Sequence, residues 1–153
     1  MTDEMYDLIK ILNHRGLGDG LKFLNRRVPY RYTAIYKMVR DEFKLQHLED
    51  KLNEPVAKML QSVAYEDSYC QYSIGMGEFL TSDSGQDARL NGHKQQGVVG
   101  SYVGLPLMHV PGTLFGTLCH YDMEPQPQIT NDEFNFLQQA CRVLPRYLQR
   151  QPA

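Results

Sequence analysis

The sequence predicts an α+β domain, with one antiparallel sheet and the helices of the two chain ends packed on one of its faces. Three observations lead there. Apolar residues recur at helical spacing near both ends. The stretches between them are rich in aromatic and β-branched residues, as strands are. No internal repeat or linker divides the 153 residues, so one domain over 1–153 is expected.

The first helix is marked by Met5, Leu8, Ile9 and Leu12 on one face, with Thr2 as its cap and Asp3 and Glu4 in its first turn. Gly16, Gly18 and Gly20 predict a break, after which Leu17, Leu21, Leu24 and Val28 predict a second helix that Pro29 stops. Tyr30 to Val39 reads as a strand, and Phe43, Leu45 and His47 alternate in the next one, so the two form a hairpin. Pro55 suits the first turn of a helix through Val56, Met59, Leu60 and Val63. A short helix is expected from Tyr69 to the Gly75-Met76-Gly77 punctuation, then a short strand at Phe79–Ser82. Asp83 to Gly97 is polar and reads as a long surface loop. Ser101–Val110 and Leu114–Asp122 make a second hairpin around Pro111-Gly112, with Pro106 at an edge or bulge. Thr130-x-x-Glu133 is a capping box for a last helix. Its expected core stripe is Phe134, Leu137, Cys141, Leu144 and Leu148, and Pro145 should end it near Leu144.

Sixteen basic residues face eighteen acidic ones, a net charge of −2. That argues against a nucleic-acid binder, which relies on a positive field. With 42% hydrophobic and 22% charged residues the chain is globular rather than disordered. The first residues lack the basic-then-apolar plan of a signal peptide, and no apolar run is long enough to span a membrane. Cys70, Cys119 and Cys141 are few, odd in number and far apart, which suits reduced thiols and a cytoplasmic location.

Candidate chemistry is sparse. Cys119-His120 is adjacent in sequence, but strand neighbours point to opposite faces, so His120 is a poor partner for that thiol. Cys70 would approach Cys119 if the middle segment folded over the sheet; otherwise both are small buried apolar residues. The five histidines show no i, i+4 pair that would place two metal ligands on one helix turn. No cofactor follows from the sequence. Asp83, Asp87 and Arg89 form a charged cluster in the long loop, suited to bracing turns. Arg142, Arg146 and Arg150 share a face at the negative end of the last helix, where cations are favoured. Ten tyrosines stand out against no tryptophan. Tyr32, Tyr36, Tyr69, Tyr72, Tyr102 and Tyr121 fall in or beside sheet elements, as a ligand cavity or a tyrosine-rich core both require.

The order of several short motifs adds to this: Ser68-Tyr69-Cys70, then GMGEFLTSD, DARL, GSYVGLPL at Gly100–Leu107, GTLCHYD at Gly116–Asp122, and the helix Thr130–Leu144. With the aromatic strand in Phe23–Asp41, they resemble a GAF domain over about residues 17–145. The resemblance implies about six antiparallel strands, terminal helices on one face, and a small-molecule pocket on the other. It implies a sensory module without catalysis, acting as a dimer through its terminal helices. The same family includes free methionine sulfoxide reductases, which here would depend on Cys70 and Cys119. No NKFDE-like run is present, and no Cys lies between Gly75 and Leu118, where that reductase subfamily clusters its thiols.

Chain order then places the pocket under a roof formed by residues 65–100. The expected lining is Tyr36, Tyr69, Cys70, Asp83, His93, Tyr102 and Cys119, with Gly97, Gly100 and Gly104 allowing backbone to approach a ligand. Such a lining suits a neutral or weakly cationic molecule. Tyr6 on the first helix, and a second apolar row of Phe136, Val143 and Tyr147 on the last, are the expected homodimer surface.

Overall fold

Two helices begin the fold, and one glycine separates them. The computed structural model describes residues 2–109 and 112–148. Helix α1 spans Asp3–Arg15, and Thr2 Oγ1 accepts from Met5 N–H at 3.2 Å to cap it. Gly16 then takes φ +94°, a backbone setting unfavourable to a residue with a Cβ, and α2 starts anew over Leu17–Arg26.

Six antiparallel strands follow: β1 Tyr32–Val39, β2 Glu42–Asp50, β3 Ser62–Ala64, β4 Phe79–Thr81, β5 Ser101–Met108 and β6 Leu114–Asp122. Their spatial order is β3-β2-β1-β6-β5-β4. The two hairpins thus lie side by side, joined by β1 and β6 along Tyr32↔Tyr121 to Lys37↔Gly116. Between β2 and β3 the expected helix is cut short. Helix α3 holds only Lys58–Gln61, and Val63 pairs with Phe43 in the sheet. The open edge of β2 captures that segment, which no local pattern announces. Helix α4 covers Cys70–Met76 and ends at Gly77, whose φ is +86°. The long loop contains two short 3-10 turns, Ser84–Gln86 and Ala88–Leu90. Pro106 sits where β5 has no outer neighbour, since β4 reaches only Gly104. The hairpin turn expected at Pro111-Gly112 falls partly outside the described residues.

Strand alternation sorts the side chains into two cores. Ile35, Val103, Leu105, Leu107 and Leu118 face α1, α2 and the last helix, α5 (Asn131–Val143). Tyr32, Ala34, Tyr36, Tyr102, Cys119 and Tyr121 face the opposite way, under α4 and the middle loops. Phe115 is skipped in the register between Leu107↔Gly116 and Met108↔Leu114, and this bulge lets it join the helix-side core.

Helix α5 corrects the predicted stripe. Its buried residues are Phe136, Leu137 and Ala140, with Leu144 just beyond, whereas Phe134 and Cys141 are only partly covered. Phe136 packs on Phe23 and lies 3.7 Å beneath the Arg27 guanidinium, so it belongs to this chain's own core rather than to a free second row. Thr130 Oγ1 accepts from Glu133 N–H as expected. The Glu133 carboxylate, however, takes both guanidinium N–H groups of Arg27, at 2.9 and 3.0 Å, which ties the start of α5 to the end of α2. A 3-10 turn, Leu144–Tyr147, replaces the helix where Pro145 stands.

Candidate functional site

The face opposite the terminal helices carries a cavity of about 50 Å³. Tyr36, Tyr102, Cys119 and Tyr121 form its floor from β1, β5 and β6, all at alternate positions on one face. Met59, Leu60, Val63, Ser68, Tyr69, Cys70, Gln95 and Val99 close it from above. The roof therefore begins near residue 59, earlier than the expected 65, because the β3 edge strand carries that segment over the sheet.

Tyrosine hydroxyls hold this roof down. Tyr36 OH donates to the Leu60 carbonyl at 2.9 Å and pairs with Tyr121 OH at 2.9 Å. Tyr69 OH reaches the carbonyls of Gln95 and Val99 at 2.8 and 3.1 Å. Burial pushes the phenols of Tyr36, Tyr102 and Tyr121 well up, so they remain protonated donors. With the hydroxyls engaged, the ring faces are what the cavity offers.

Cys70 stands at the N-terminus of α4 with its sulfur among donors. Tyr102 OH donates to Sγ at 3.3 Å and Thr117 Oγ1 at 3.2 Å. Tyr102 OH in turn meets Ser73 Oγ at 2.9 Å. Burial pushes the Cys70 thiol up, but hydrogen bonding from Cys119, Ser68, Thr117 and Tyr102 outweighs it and brings the thiol down to about 6. The Cys119 thiol is pushed well up, first by burial and then by the facing Cys70. Gly104 makes room for this arrangement. A Cβ there would collide with the Tyr102 hydroxyl and lie 2.7 Å from Ser73 Oγ. Its role is thus to admit protein atoms rather than ligand. Gly100 likewise admits the backbone of Met123 and Glu124, whereas a Cβ on Gly97 would meet nothing.

Of the residues expected to line a pocket, Tyr36, Tyr69, Cys70, Tyr102 and Cys119 come together at this cavity. Asp83 and His93 do not. His93 stacks behind Tyr69 and Tyr72, with ring centroids 5.0 and 5.8 Å away, and its Nδ1 accepts from Gln95 N–H. Asp83 borders a separate surface hollow with Thr81, Asp87 and Arg89. There Asp87 caps the second 3-10 turn and accepts from Arg89, whose hydrogen bonds hold its carboxyl down to about 2. His120 points away from Cys119 to the helix side, where Thr33 Oγ1 meets its Nδ1 at 2.6 Å. Among the described residues, no three His, Cys, Asp or Glu side chains gather to hold a metal ion.

A family model for the GAF domain matches residues 22–144. The chain belongs to the GAF domain family. Solved structures agree at the level of fold. The GAF domain of an Acinetobacter phosphoenolpyruvate-protein phosphotransferase is 14% identical, with TM-score 0.73 over 95% of this chain and 90% of that one. Free methionine-R-sulfoxide reductase from Neisseria meningitidis is also 14% identical, with TM-score 0.72 over 95% and 86%. The type II free methionine-R-sulfoxide reductase of Thermoplasma acidophilum is 10% identical, with TM-score 0.65 over 94% and 93%. At such identities the likeness concerns the fold alone. No curated protein matches the sequence.

Within this GAF domain, the expected lining leaves out Thr117, and also Tyr121, which the sequence marks only as one of the candidate cavity or core tyrosines. Both lie two residues from Cys119 on β6 and so share its face, a signal the sequence carried. Leu60 and Val63 escaped because the segment bearing them was read as a continuous helix. Among the described residues, no helix is long and apolar enough to cross a membrane.

Proposed function

We propose that this GAF domain is a small-molecule-binding regulatory module without catalytic activity, its ligand held between the tyrosine face of the sheet and the roof. One observation carries the reading: four tyrosines enclose a cavity whose roof is tied to the sheet by the Tyr36 and Tyr102 hydroxyls and knit together by that of Tyr69. Among the described residues no Lys or Arg lines it, while Asp67 does, which favours a neutral or weakly cationic guest over a phosphate. At about 50 Å³ it holds a few water-sized molecules, so a larger guest requires the roof to lift. Action as a homodimer through the terminal helices belongs to the same proposal. Tyr6, exposed on α1, and the partly covered Val143 and Tyr147 remain for such a surface, and light scattering at high micromolar concentration tests it.

Native mass spectrometry of freshly purified protein, with an absorption spectrum, tests the binding reading. A co-purified mass is expected, and Tyr102→Ala should weaken its binding about tenfold. Unchanged affinity in a variant with native circular dichroism would place the ligand elsewhere.

The thiols favour a second reading, a reductase of free methionine sulfoxide in which Cys70 attacks and Cys119 resolves. The lowered thiol of Cys70, facing Cys119 across one cavity, supports it. Thiol titration before and after methionine sulfoxide should then show the loss of two thiols, and an unchanged count removes the reading.

A further inference from the structure

The size of the cavity and the chemistry of its wall point to a reactant smaller than any metabolite. A buried water needs roughly 10–15 Å³ on the same measure, so about 50 Å³ has room for about three to five. A hydroperoxide of two heavy oxygens fits without lifting the roof. Cys70 Sγ borders that space, and two hydroxyls from different strands are aimed at it, Thr117 from β6 and Tyr102 from β5. Cys119 lies next along β6 from Thr117 on the same face, in the same cavity wall. Cys141, on α5 in the other core, shares none of this.

We propose that Cys70 is an oxidation site for hydrogen peroxide, with Cys119 as the thiol that resolves it to an intramolecular disulfide. The Cys70 thiolate attacks one peroxide oxygen; an S–O bond forms, the O–O bond breaks, and the departing hydroxide takes a proton and leaves as water. The sulfenic acid that remains is then attacked by the Cys119 sulfur. The S–S bond forms, the S–O bond breaks, and the second hydroxide leaves as water with the Cys119 proton. Two thiols have lost two electrons and two protons, and one peroxide has become two waters.

The surroundings supply what each step needs. Thr117 and Tyr102 hydroxyls stabilise the thiolate before attack. Those hydrogen bonds bring the Cys70 thiol down and favour its thiolate, while the Cys141 thiol, packed against the helix-side core, is held up at about 12. Oxidation also has a mechanical consequence. The chain Ser73–Tyr102–Cys70–Thr117 links α4 to β5 and β6, and converting the Sγ thiolate to a disulfide leaves a neutral sulfur that accepts only weakly. The state of one sulfur thereby sets how α4 is attached to the sheet.

This site stands apart from the identity of any bound ligand, and its test needs none. The reduced full chain is treated with one equivalent of hydrogen peroxide and followed by intact mass and peptide mapping. The expected product is a Cys70–Cys119 disulfide, two hydrogens lighter than the starting protein. Cys70 should react at least about a hundredfold faster than Cys141, as its thiolate fraction dictates. Cys119→Ser should instead accumulate a dimedone-reactive sulfenic acid at Cys70, and Cys141→Ser should leave the rate unchanged. Thr117→Val and Tyr102→Phe, which preserve shape, should each slow oxidation several-fold with the native near-ultraviolet spectrum retained. Equal rates at Cys70 and Cys141, or three titratable thiols after treatment, overturn the site. A disulfide between two molecules, or none while sulfenic acid persists in the unaltered chain, overturns the resolving role of Cys119. The thiol pair is the one the reductase reading invokes: a disulfide with peroxide but none with methionine sulfoxide upholds this site and removes that reading, and a missing co-purified ligand leaves every outcome readable.

Discussion

Mild acid should destabilise this protein through one buried imidazole. His120 is 2% exposed, stacks on Tyr30 with the rings 5.8 Å apart, and shares a hydrogen bond with Thr33. Burial, aided by the charge of Lys51, lowers its pKa from 6.5 to about 3. The folded protein therefore keeps this ring neutral while the unfolded chain protonates it. Its contribution is fully present above about pH 6.5 and declines as pH falls toward about 3, at about 1.4 kcal/mol per pH unit. Between about pH 7.5 and 4.5 the loss comes to roughly 2–3 kcal/mol, a substantial part of a typical 5–15 kcal/mol stability. Urea unfolding at a series of pH values, followed by circular dichroism, measures it. His120→Asn retains a polar atom near the Nδ1 position and removes the titration. It should be less stable at neutral pH and flatter by about that 2–3 kcal/mol across the window. Equal slopes for the variant and the parent would show that His120 is not the group held neutral.

Gly104→Ala should lower stability by about 1–3 kcal/mol, since the new methyl meets a Tyr102 ring packed on Tyr69 and Phe79 and bonded to Ser73 and Cys70, and a urea melt reads the loss. Asn25→Ala should cost about 2 kcal/mol in the same assay. Asn25 is buried, donates to Thr33 Oγ1 and the Tyr30 carbonyl, and accepts from Lys51, so its removal strands several polar groups. Arg27→Ala should cost about 1–2 kcal/mol through the lost fork on Glu133 and the lost cover on Phe136, and Arg27→Lys should recover less than half in thermal melts.

Much of the fold is legible because its signals are local. Thr2 and Thr130 announce helix starts by type and spacing, and both caps are present. The tyrosine face is legible because alternation alone puts Tyr36, Tyr102 and Cys119 on the same side of their strands. The same rule separates Cys119 from His120. What was not legible depends on partners distant in sequence. Val63 joins the sheet because Phe43 offers an edge. The burial of Phe136 depends on Phe23 and Arg27, more than a hundred residues earlier. His93 is turned away by a loop whose shape rests on Gln96 bonding to the Ser84 and Asp87 carbonyls and on Ser84 bonding to Val99. Nothing in the loop's composition fixes those pairings.

The two sides of the cavity differ in how firmly they are built. Every residue from 115 to 122 is buried and β6 is bonded on both flanks, whereas residues 51–59 are all exposed and contribute only the start of α3. Amide exchange should rank them accordingly: β6 protected close to the limit of global unfolding, and the stretch before Leu60 exchanging through small local excursions. Traffic into the cavity then needs only the roof to lift, with the sheet beneath undisturbed. A guest's residence time becomes a property of the anchors at Leu60 and Cys70. Loosening one of them, as Tyr36→Phe would at Leu60, should speed exchange of the neighbouring roof amides while leaving those of β6 as they were.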